Sequence, residues 1–421
     1  MKIAVRAGLV AVLASIAVFG VSLLLGRSDA RPTALASPRL AVPAVAAEPA
    51  WQGSLDYAAL DERLQAMMGD PSMTGLAVAV VEDGRIAFVR GYGVTAEAGG
   101  EPIDAATSFR WASVSKTVAG VLSAQLAAEG AFSLSERLSA FPTSLQLPGG
   151  AERHLTVEQL LSQQTGLPKN AYDGRLEGGE DPVAIRTSLA SVATVCPPGA
   201  CHTYQNIAFD AVSEVIAART GKAYEQVATE RLFAPLGMTS ATLGTTGLTQ
   251  ARRWAQPHRH GQRLPFGEAY YRVPAAAGVN SNIVDLAKWM QALMGLRPDV
   301  LSPDVVSAAQ RPRVATGRPY GRMAMAREIT DAGYGLGVRS FAYRGHLLVG
   351  HSGGLSGYRA TLLFDPERRT GIAMLWNSDA GLPFRFQGEF FDHVYDLPFT
   401  DFLELEEGEA SSIALAGSPR S

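Results

Sequence analysis

The sequence has little lysine, little cysteine and no excess of charge of one sign. Only five of its 37 basic residues are lysines, and only two of its 421 residues are cysteines. Charged residues make up 18% of the chain and the net charge is −3, which gives no electrostatic reason to expect a nucleic-acid partner. Hydrophobic residues reach 47%, so the chain can bury a large core and is not disordered as a whole.

The scarcity of lysine makes Lys116 informative. Where only positive charge matters, this chain uses arginine, and of the two only lysine readily loses its proton. The residues around Lys116 are apolar, namely Ala112, Val114, Val118 and Ala119. Burial among such residues would lower the pKa of the lysine, and Lys116 is therefore a candidate general base.

The two cysteines, Cys196 and Cys201, enclose the sequence Pro-Pro-Gly-Ala. Two thiols are too few for a structural zinc site, even with His202 beside them, and their spacing is too wide for a C-x-x-C redox motif. We predict a structural disulfide formed in an oxidising compartment. No metal or cofactor is predicted.

The N-terminus predicts export. Lys2 and Arg6 precede an uncharged run over residues 7–26, which is longer than the usual core of a signal peptide and close to the length of a spanning helix. Residues 1–30 are therefore a cleaved signal or an uncleaved anchor, and residues 31–53 a linker. The protein would be periplasmic, or anchored in the inner membrane and facing the periplasm, with the membrane a partner only if the segment is retained.

The hydrophobic patterns predict strands, then helices, then strands again, which is typical of an α+β fold. We expect an antiparallel sheet built from both chain ends and flanked by helices, with a helical region over residues 113–300 inserted. One domain would span residues 54–400, and residues 401–421 would form a flexible tail. Predicted helices cover residues 54–68, 113–129, 207–220, 282–293 and 382–397, with a further helix opened by the capping box at 156–159; predicted strands cover 75–81, 86–93, 334–341, 347–350, 358–364 and 371–376.

Two short motifs carry candidate proton-transfer groups. Ser113 and Lys116 form an S-x-x-K sequence, and residues three apart share a helix face, so the lysine could activate the serine. The start of a helix would also direct the Ser113 N–H toward developing negative charge. Tyr204 and Asn206 could shuttle a proton and bind a substrate amide. The alternatives are a capping serine with a surface lysine, and an ordinary loop tyrosine with a capping asparagine.

A third motif runs from His351 through Ser352 and Gly353 to Gly354, between two predicted strands. Its glycines would leave an exposed strand edge with room for substrate, although a simple glycine turn is the alternative. Residues 350–354 also match G-x-S-x-G, the nucleophile elbow of α/β-hydrolases. That elbow requires a following helix, whereas a strand is predicted there.

Together the three motifs resemble the serine β-lactamase and penicillin-binding protein superfamily, in particular the class C β-lactamase-like branch, whose second motif is Y-x-N. The resemblance covers residues 55–397 and implies the β-lactamase/transpeptidase-like fold. Supporting stretches are residues 109–112, 160–162, 165–168, 197–199, 235–238 and 277–279.

The resemblance implies a role for each site residue. Ser113 would be the nucleophile, and Lys116 and Tyr204 would share the general-base role. The backbone N–H groups of Ser113 and Gly354 would form the oxyanion hole. Further substrate contacts would come from Asn206, His351, Ser352, Gly353 and Asn170.

Two departures from the family pattern bear on the substrate. Class C β-lactamases usually carry lysine where this chain has His351, and the family often carries histidine where this chain has Gln163. A histidine with a pKa near 6.5 would be mostly neutral at pH 7.5 and would gain charge at lower pH. We therefore expect an exported serine hydrolase acting on esters or D-Ala-type amides.

Two other functions stay open. One is a true class C-type β-lactamase. The other is a membrane-tethered, non-catalytic protein that binds a ligand or peptidoglycan. In every case the expected partner is a small molecule or a peptide, with peptidoglycan one candidate.

Overall fold

The computed structural model describes residues 53–405 apart from Arg322. The predicted export segment, nearly all of the linker and the tail beyond residue 405 lie outside this range. The strands are β1 (Gly75–Glu82), β2 (Arg85–Gly93), β3 (Phe109–Arg110), β4 (Thr242–Leu243), β5 (His258–Arg259), β6 (Gln262–Arg263), β7 (Val279–Ser281), β8 (Val314–Ala315), β9 (Ile329–Tyr334), β10 (Arg339–Tyr343), β11 (His346–Leu355), β12 (Tyr358–Asp365) and β13 (Thr370–Trp376).

Eight of these strands form one antiparallel sheet in the order β2-β1-β13-β12-β11-β10-β9-β8. The N-terminal hairpin joins the C-terminal strands where β1 pairs with β13, in the register that places Leu76 opposite Trp376. The predicted α+β fold, with a sheet drawn from both chain ends, is therefore confirmed.

Most helices lie in the long segment between β2 and β9, as the inserted helical region predicts. They are α1 (Tyr57–Met68), α2 (Ser115–Ala128), α3 (Val157–Leu161), α4 (Asp173–Glu177), α5 (Pro182–Ser188), α6 (Ala211–Thr220), α7 (Tyr224–Ala228), α8 (Thr245–Thr249), α9 (Pro274–Ala277), α10 (Ile283–Leu293), α11 (Pro303–Gln310) and α12 (Leu382–Val394). Within the described range, no helix is both long and apolar enough to cross a membrane.

Both faces of the sheet are covered, because alternate side chains of a strand point to opposite faces. On β1, Ala77 and Ala79 pack in the layer that contains α2 and α10, whereas Val78 and Val80 pack in the layer that contains α1 and α12. The strand is therefore free of polar side chains from Gly75 to Val81. Phe402 and Leu403, at the start of the predicted tail, are buried in the second layer.

The predicted strand over residues 334–341 is wrong as a single strand. The chain leaves β9 at Tyr334 and enters β10 at Arg339. Gly337 lies in the intervening turn with a φ of 68°, and a Cβ there would overlap the backbone oxygen of Lys116. The glycine thus permits a turn that brings the sheet directly against α2.

Candidate active site

Ser113 lies in a tight turn between β3 and α2. The turn is a 3-10 segment, Ala112–Val114, and the α-helix begins at Ser115, so the prediction that Ser113 opens the α-helix is wrong by two residues. Ala112 has a φ of 48°, a left-handed conformation that costs energy for a residue with a side chain. This strained turn holds Ser113 close to Gly353 of β11.

Lys116 is fully buried and directed at Ser113. Its Nζ lies 3.4 Å from Ser113 Oγ, 2.6 Å from Asn206 Oδ1 and 3.0 Å from the carbonyl oxygen of Ala276 in α9. The ring of Tyr204 is also close, with its centroid 4.8 Å from Nζ. The structure therefore brings the first and second motifs together although 90 residues separate Lys116 from Asn206.

The contacts of Lys116 Nζ are compatible with proton transfer from Ser113. Asn206 Oδ1 and the Ala276 carbonyl can only accept hydrogen bonds, and a neutral lysine has two N–H groups to give them. The remaining partner, the Ser113 hydroxyl, can donate to the lone pair of the amine. Proton transfer from Ser113 to Lys116 is therefore geometrically available.

Gln163 holds the second motif in place. Its side chain accepts from the Gln205 N–H at 2.7 Å and donates to the Gln205 carbonyl at 3.0 Å. Asn170, predicted as a substrate contact, lines the cavity, and its backbone N–H donates to the Tyr204 carbonyl at 2.9 Å. Gln163, which departs from the family pattern, thus fixes the loop between Tyr204 and Asn206.

The predicted disulfide between Cys196 and Cys201 is confirmed. Its loop is fastened to the chain beside Gln163, because the Val195 N–H donates to the Gly166 carbonyl at 2.8 Å and the Gly199 N–H to the Gln164 carbonyl at 2.7 Å. The disulfide therefore helps to hold the second motif in place.

The third motif lies inside β11, not between strands. The pairing of β10 with β11 ends at Arg339 opposite Gly350, so from His351 onward β11 has a free edge on that side. The predicted open edge is thus present. Both flanking segments of the G-x-S-x-G match are strand, since β12 follows, which excludes the nucleophile elbow.

Gly353, predicted as a substrate contact, does not line the cavity. It is buried with its Cα against the Ser113 turn, and a Cβ there would lie 2.8 Å from the Ser113 backbone nitrogen. Gly354, by contrast, is exposed and lines the cavity with Ser352. Gly353 therefore allows β11 to approach Ser113, while Gly354 presents its backbone to the cavity.

His351 is buried and neutral. Its Nδ1 lies 2.7 Å from the Ser352 carbonyl, which can only accept, so Nδ1 carries the proton and Nε2 accepts from the Tyr334 hydroxyl at 2.9 Å. Burial, followed by the positive charge of Arg339, lowers the pKa of His351 well below its ordinary value. The expectation of a pKa near 6.5 for His351 is therefore wrong.

Ser113 and most of the predicted substrate contacts line one cavity of about 820 Å³. Arg339 also lines it, with its guanidinium carbon 6.0 Å from the centroid of the Tyr204 ring and 5.0 Å from that of Tyr334. No carboxylate in the described part of the chain pairs with Arg339. Nothing in the sequence points to this residue, since arginine is abundant and Arg339 belongs to no motif.

Comparison with known proteins gives the class. The β-lactamase family model matches residues 60–395, and the chain therefore belongs to the β-lactamase family, a family of serine hydrolases. Among solved structures, the octameric penicillin-binding protein homologue from Pyrococcus abyssi superposes with a TM-score of 0.73 at 22% identity, covering 83% of this chain and 80% of that one. That likeness agrees with the predicted fold.

Curated relatives are named as hydrolases of several kinds. Unguisins hydrolase ungD' of Aspergillus campestris (strain IBT 28561) is 31% identical over 51% of this chain and 41% of its own. D-aminopeptidase of Cereibacter sphaeroides (strain KD131 / KCTC 12085) is 26% identical over 78% of this chain and 61% of its own length. D-alanyl-D-alanine-carboxypeptidase/endopeptidase AmpH of Escherichia coli (strain K12) is 26% identical over 52% of this chain and 57% of its own length. The chain thus spans roughly two-fifths to three-fifths of these relatives.

Proposed function

We propose that the protein is an exported serine hydrolase that forms an acyl-enzyme on Ser113 and hydrolyses amide or ester bonds of D-Ala-type substrates. The observation that carries the proposal is the set of partners around Lys116 Nζ: two acceptors, and the Ser113 hydroxyl at 3.4 Å. A serine hydroxyl becomes a nucleophile when a positioned base removes its proton, and this arrangement supplies one.

In the proposed cycle, neutral Lys116 takes the proton of Ser113 Oγ as that oxygen bonds to the acyl carbon. The resulting oxyanion accepts hydrogen bonds from the N–H groups of Ser113 and Gly354. Its collapse breaks the bond to the leaving group, which receives the proton from Lys116 through Tyr204. Water then attacks the acyl ester, its proton returns to Ser113 Oγ through the same groups, and the acid is released.

Arg339 supports a substrate that carries a carboxylate. No carboxylate among the described residues pairs with Arg339, so its guanidinium can offer charge-assisted hydrogen bonds to a carboxylate entering the cavity. The C-terminal carboxylate of a D-Ala peptide suits this position, and peptidoglycan peptides are the proposed natural source. β-Lactams also carry a carboxylate, and we expect them to acylate Ser113 with slow release.

The proposed location is outside the cytoplasm. The disulfide between Cys196 and Cys201 supports it, because such bridges persist mainly in oxidising compartments. Whether the chain is released or anchored depends on residues 1–30, which lie outside the described range.

Steady-state turnover of four substrates tests the proposal: a D-Ala-D-Ala peptide, a D-alanine anilide, a short-chain aryl ester and nitrocefin. We expect the peptide, anilide or ester to exceed nitrocefin, and Ser113→Ala to abolish turnover of all four. Turnover of nitrocefin far above that of the other three substrates would indicate a β-lactamase. No turnover and no acylation by wild-type protein would favour a non-catalytic binding protein.

A further inference from the structure

The side-chain amide of Asn206 has two ends with opposite hydrogen-bonding character. Its Oδ1 accepts from Lys116 Nζ at 2.6 Å, and its Nδ2 donates to Asp173 Oδ2 at 2.7 Å. A rotation of the amide by 180° would exchange the two ends and turn an NH2 group toward the lysine. The amide alone does not choose between these orientations, so a neighbour must set it.

Asp173 is that neighbour. It is the first residue of α4, and the chain enters the helix through Asn170 and Tyr172, which have φ values of 55° and 65°. Asp173 is 8% exposed, and its Oδ2 also lies 3.2 Å from the hydroxyl of Tyr270. An ionised carboxylate can only accept hydrogen bonds, so the amide end that faces Asp173 must be the NH2 group.

We propose that Asp173 is a positioning residue for the general base: acting through Asn206, it directs an amide oxygen at Lys116 and leaves the second N–H of that amide for substrate. The inference rests on the proposed function and adds a residue that does not itself contact the reacting atoms. Without Asp173 the amide could present its NH2 group to Lys116, and the amine would lose one of its two acceptors.

The proposal has an electrostatic consequence. A carboxylate near a lysine favours the ammonium over the neutral amine, so removing the charge of Asp173 should change the pH dependence of acylation. Burial, in turn, raises the pKa of Asp173 itself, while hydrogen bonds from Asn206 and Tyr270 oppose that effect. The titratable groups that face this pair are Tyr270 and Glu177 beside Asp173, and Tyr204 and His351 beside Lys116.

Three variants separate positioning from a merely structural role, with the rate of Ser113 acylation measured between pH 5 and 9. Asp173→Leu removes both acceptor and charge, and we expect acylation to fall at least about 10-fold with little change in substrate KM. Asp173→Asn can keep an acceptor but loses the charge, so the acid limb of its profile should move to lower pH. The Asp173→Asn/Asn206→Asp double variant places a carboxylate beside Lys116, and its acid limb should move to higher pH.

Glu177→Gln is the matched control, because Glu177 shares the Tyr270 hydroxyl with Asp173 but does not touch Asn206. It should keep the wild-type rate and profile within about twofold. Acid limbs that stay at the wild-type pH in both Asp173→Asn and the double variant would overturn the inference while wild-type protein still acylates. If Asp173→Leu does not fold, the pH profiles of Asp173→Asn and of the double variant test the inference without it. Failure of wild-type protein to acylate would instead overturn the proposed function.

Discussion

The two sides of Ser113 are built differently. On one side, Lys116 is buried and held by Asn206 and Ala276 at 2.6 and 3.0 Å. On the other side, Arg339 projects into the cavity with no carboxylate partner in the described part of the chain. The protein thus fixes the geometry of the base by its own contacts and leaves a charge on the binding side for a ligand to neutralise.

The base side should be the more sensitive to substitution. Lys116→Arg keeps the positive charge but cannot accept a proton at ordinary pH, so we expect acylation to fall at least about 100-fold. The rate of labelling by an activated aryl ester measures this loss. Lys222→Arg, at an exposed site, should retain the wild-type rate. A Lys116→Arg rate within a few-fold of wild type would make the lysine structural.

The binding side should distinguish substrates by charge. Arg339→Ala removes a charged hydrogen bond, so kcat/KM for a D-Ala-D-Ala peptide should fall about 10- to 100-fold. An aryl ester without a carboxylate should be turned over at the wild-type rate. Equal losses for both substrates would mean that Arg339 supports the site as a whole and does not select a carboxylate.

The disulfide should affect both stability and the base side. Its loop is short, with a sequence separation of five, so chain entropy predicts a stabilisation of about 2 kcal/mol. Denaturant unfolding of Cys196→Ser/Cys201→Ser would measure it. Since the loop supports Tyr204 and Asn206, acylation should fall in the same variant. Two free thiols in unreduced, unfolded wild-type protein would contradict the bridge.

The smallest expected effect concerns the neutral histidines beside the cavity. Burial, and then Arg339, lowers the pKa of His202 to about 4. The folded state therefore binds fewer protons than the unfolded state below about pH 6.5, so histidine-linked stability is present above that pH and is lost as the pH falls toward 4. Melting temperatures between pH 7.5 and 4.5 should fall less steeply in His202→Gln than in the exposed-site control His260→Gln. Equal slopes would contradict the burial account.

The same reasoning changes the pH dependence expected for substrates. His351 is also held neutral, so turnover of carboxylate substrates should not rise relative to esters between pH 7.5 and 5.5 on its account. If turnover of carboxylate substrates does rise relative to esters as the pH falls, and this rise is absent in His351→Asn, then His351 gains charge in this pH range as the sequence predicts.

The sequence predicted the parts of the site whose signals are local. Ser113 and Lys116 meet because the 3-10 turn runs directly into α2, so residues three apart still lie on one side. The hairpin of β1 and β2 follows from Asp-Gly between apolar runs. Asp173 and Arg339 were missed because their roles depend on contacts across the fold. An acidic residue at a helix start is ordinarily explained by the helix dipole, and nothing local shows that Asp173 faces Asn206, 33 residues away.

The location of the acyl adduct tests the central claim most directly. Wild-type protein would be mixed with penicillin, an aryl ester and a D-Ala-D-Ala peptide, quenched in acid, and analysed by intact-protein mass spectrometry followed by peptide mapping. We predict one adduct per chain, located on Ser113, absent from Ser113→Ala and retained in Ser352→Ala. An adduct located on Ser352, or labelling that persists in Ser113→Ala, would contradict the assignment of the nucleophile.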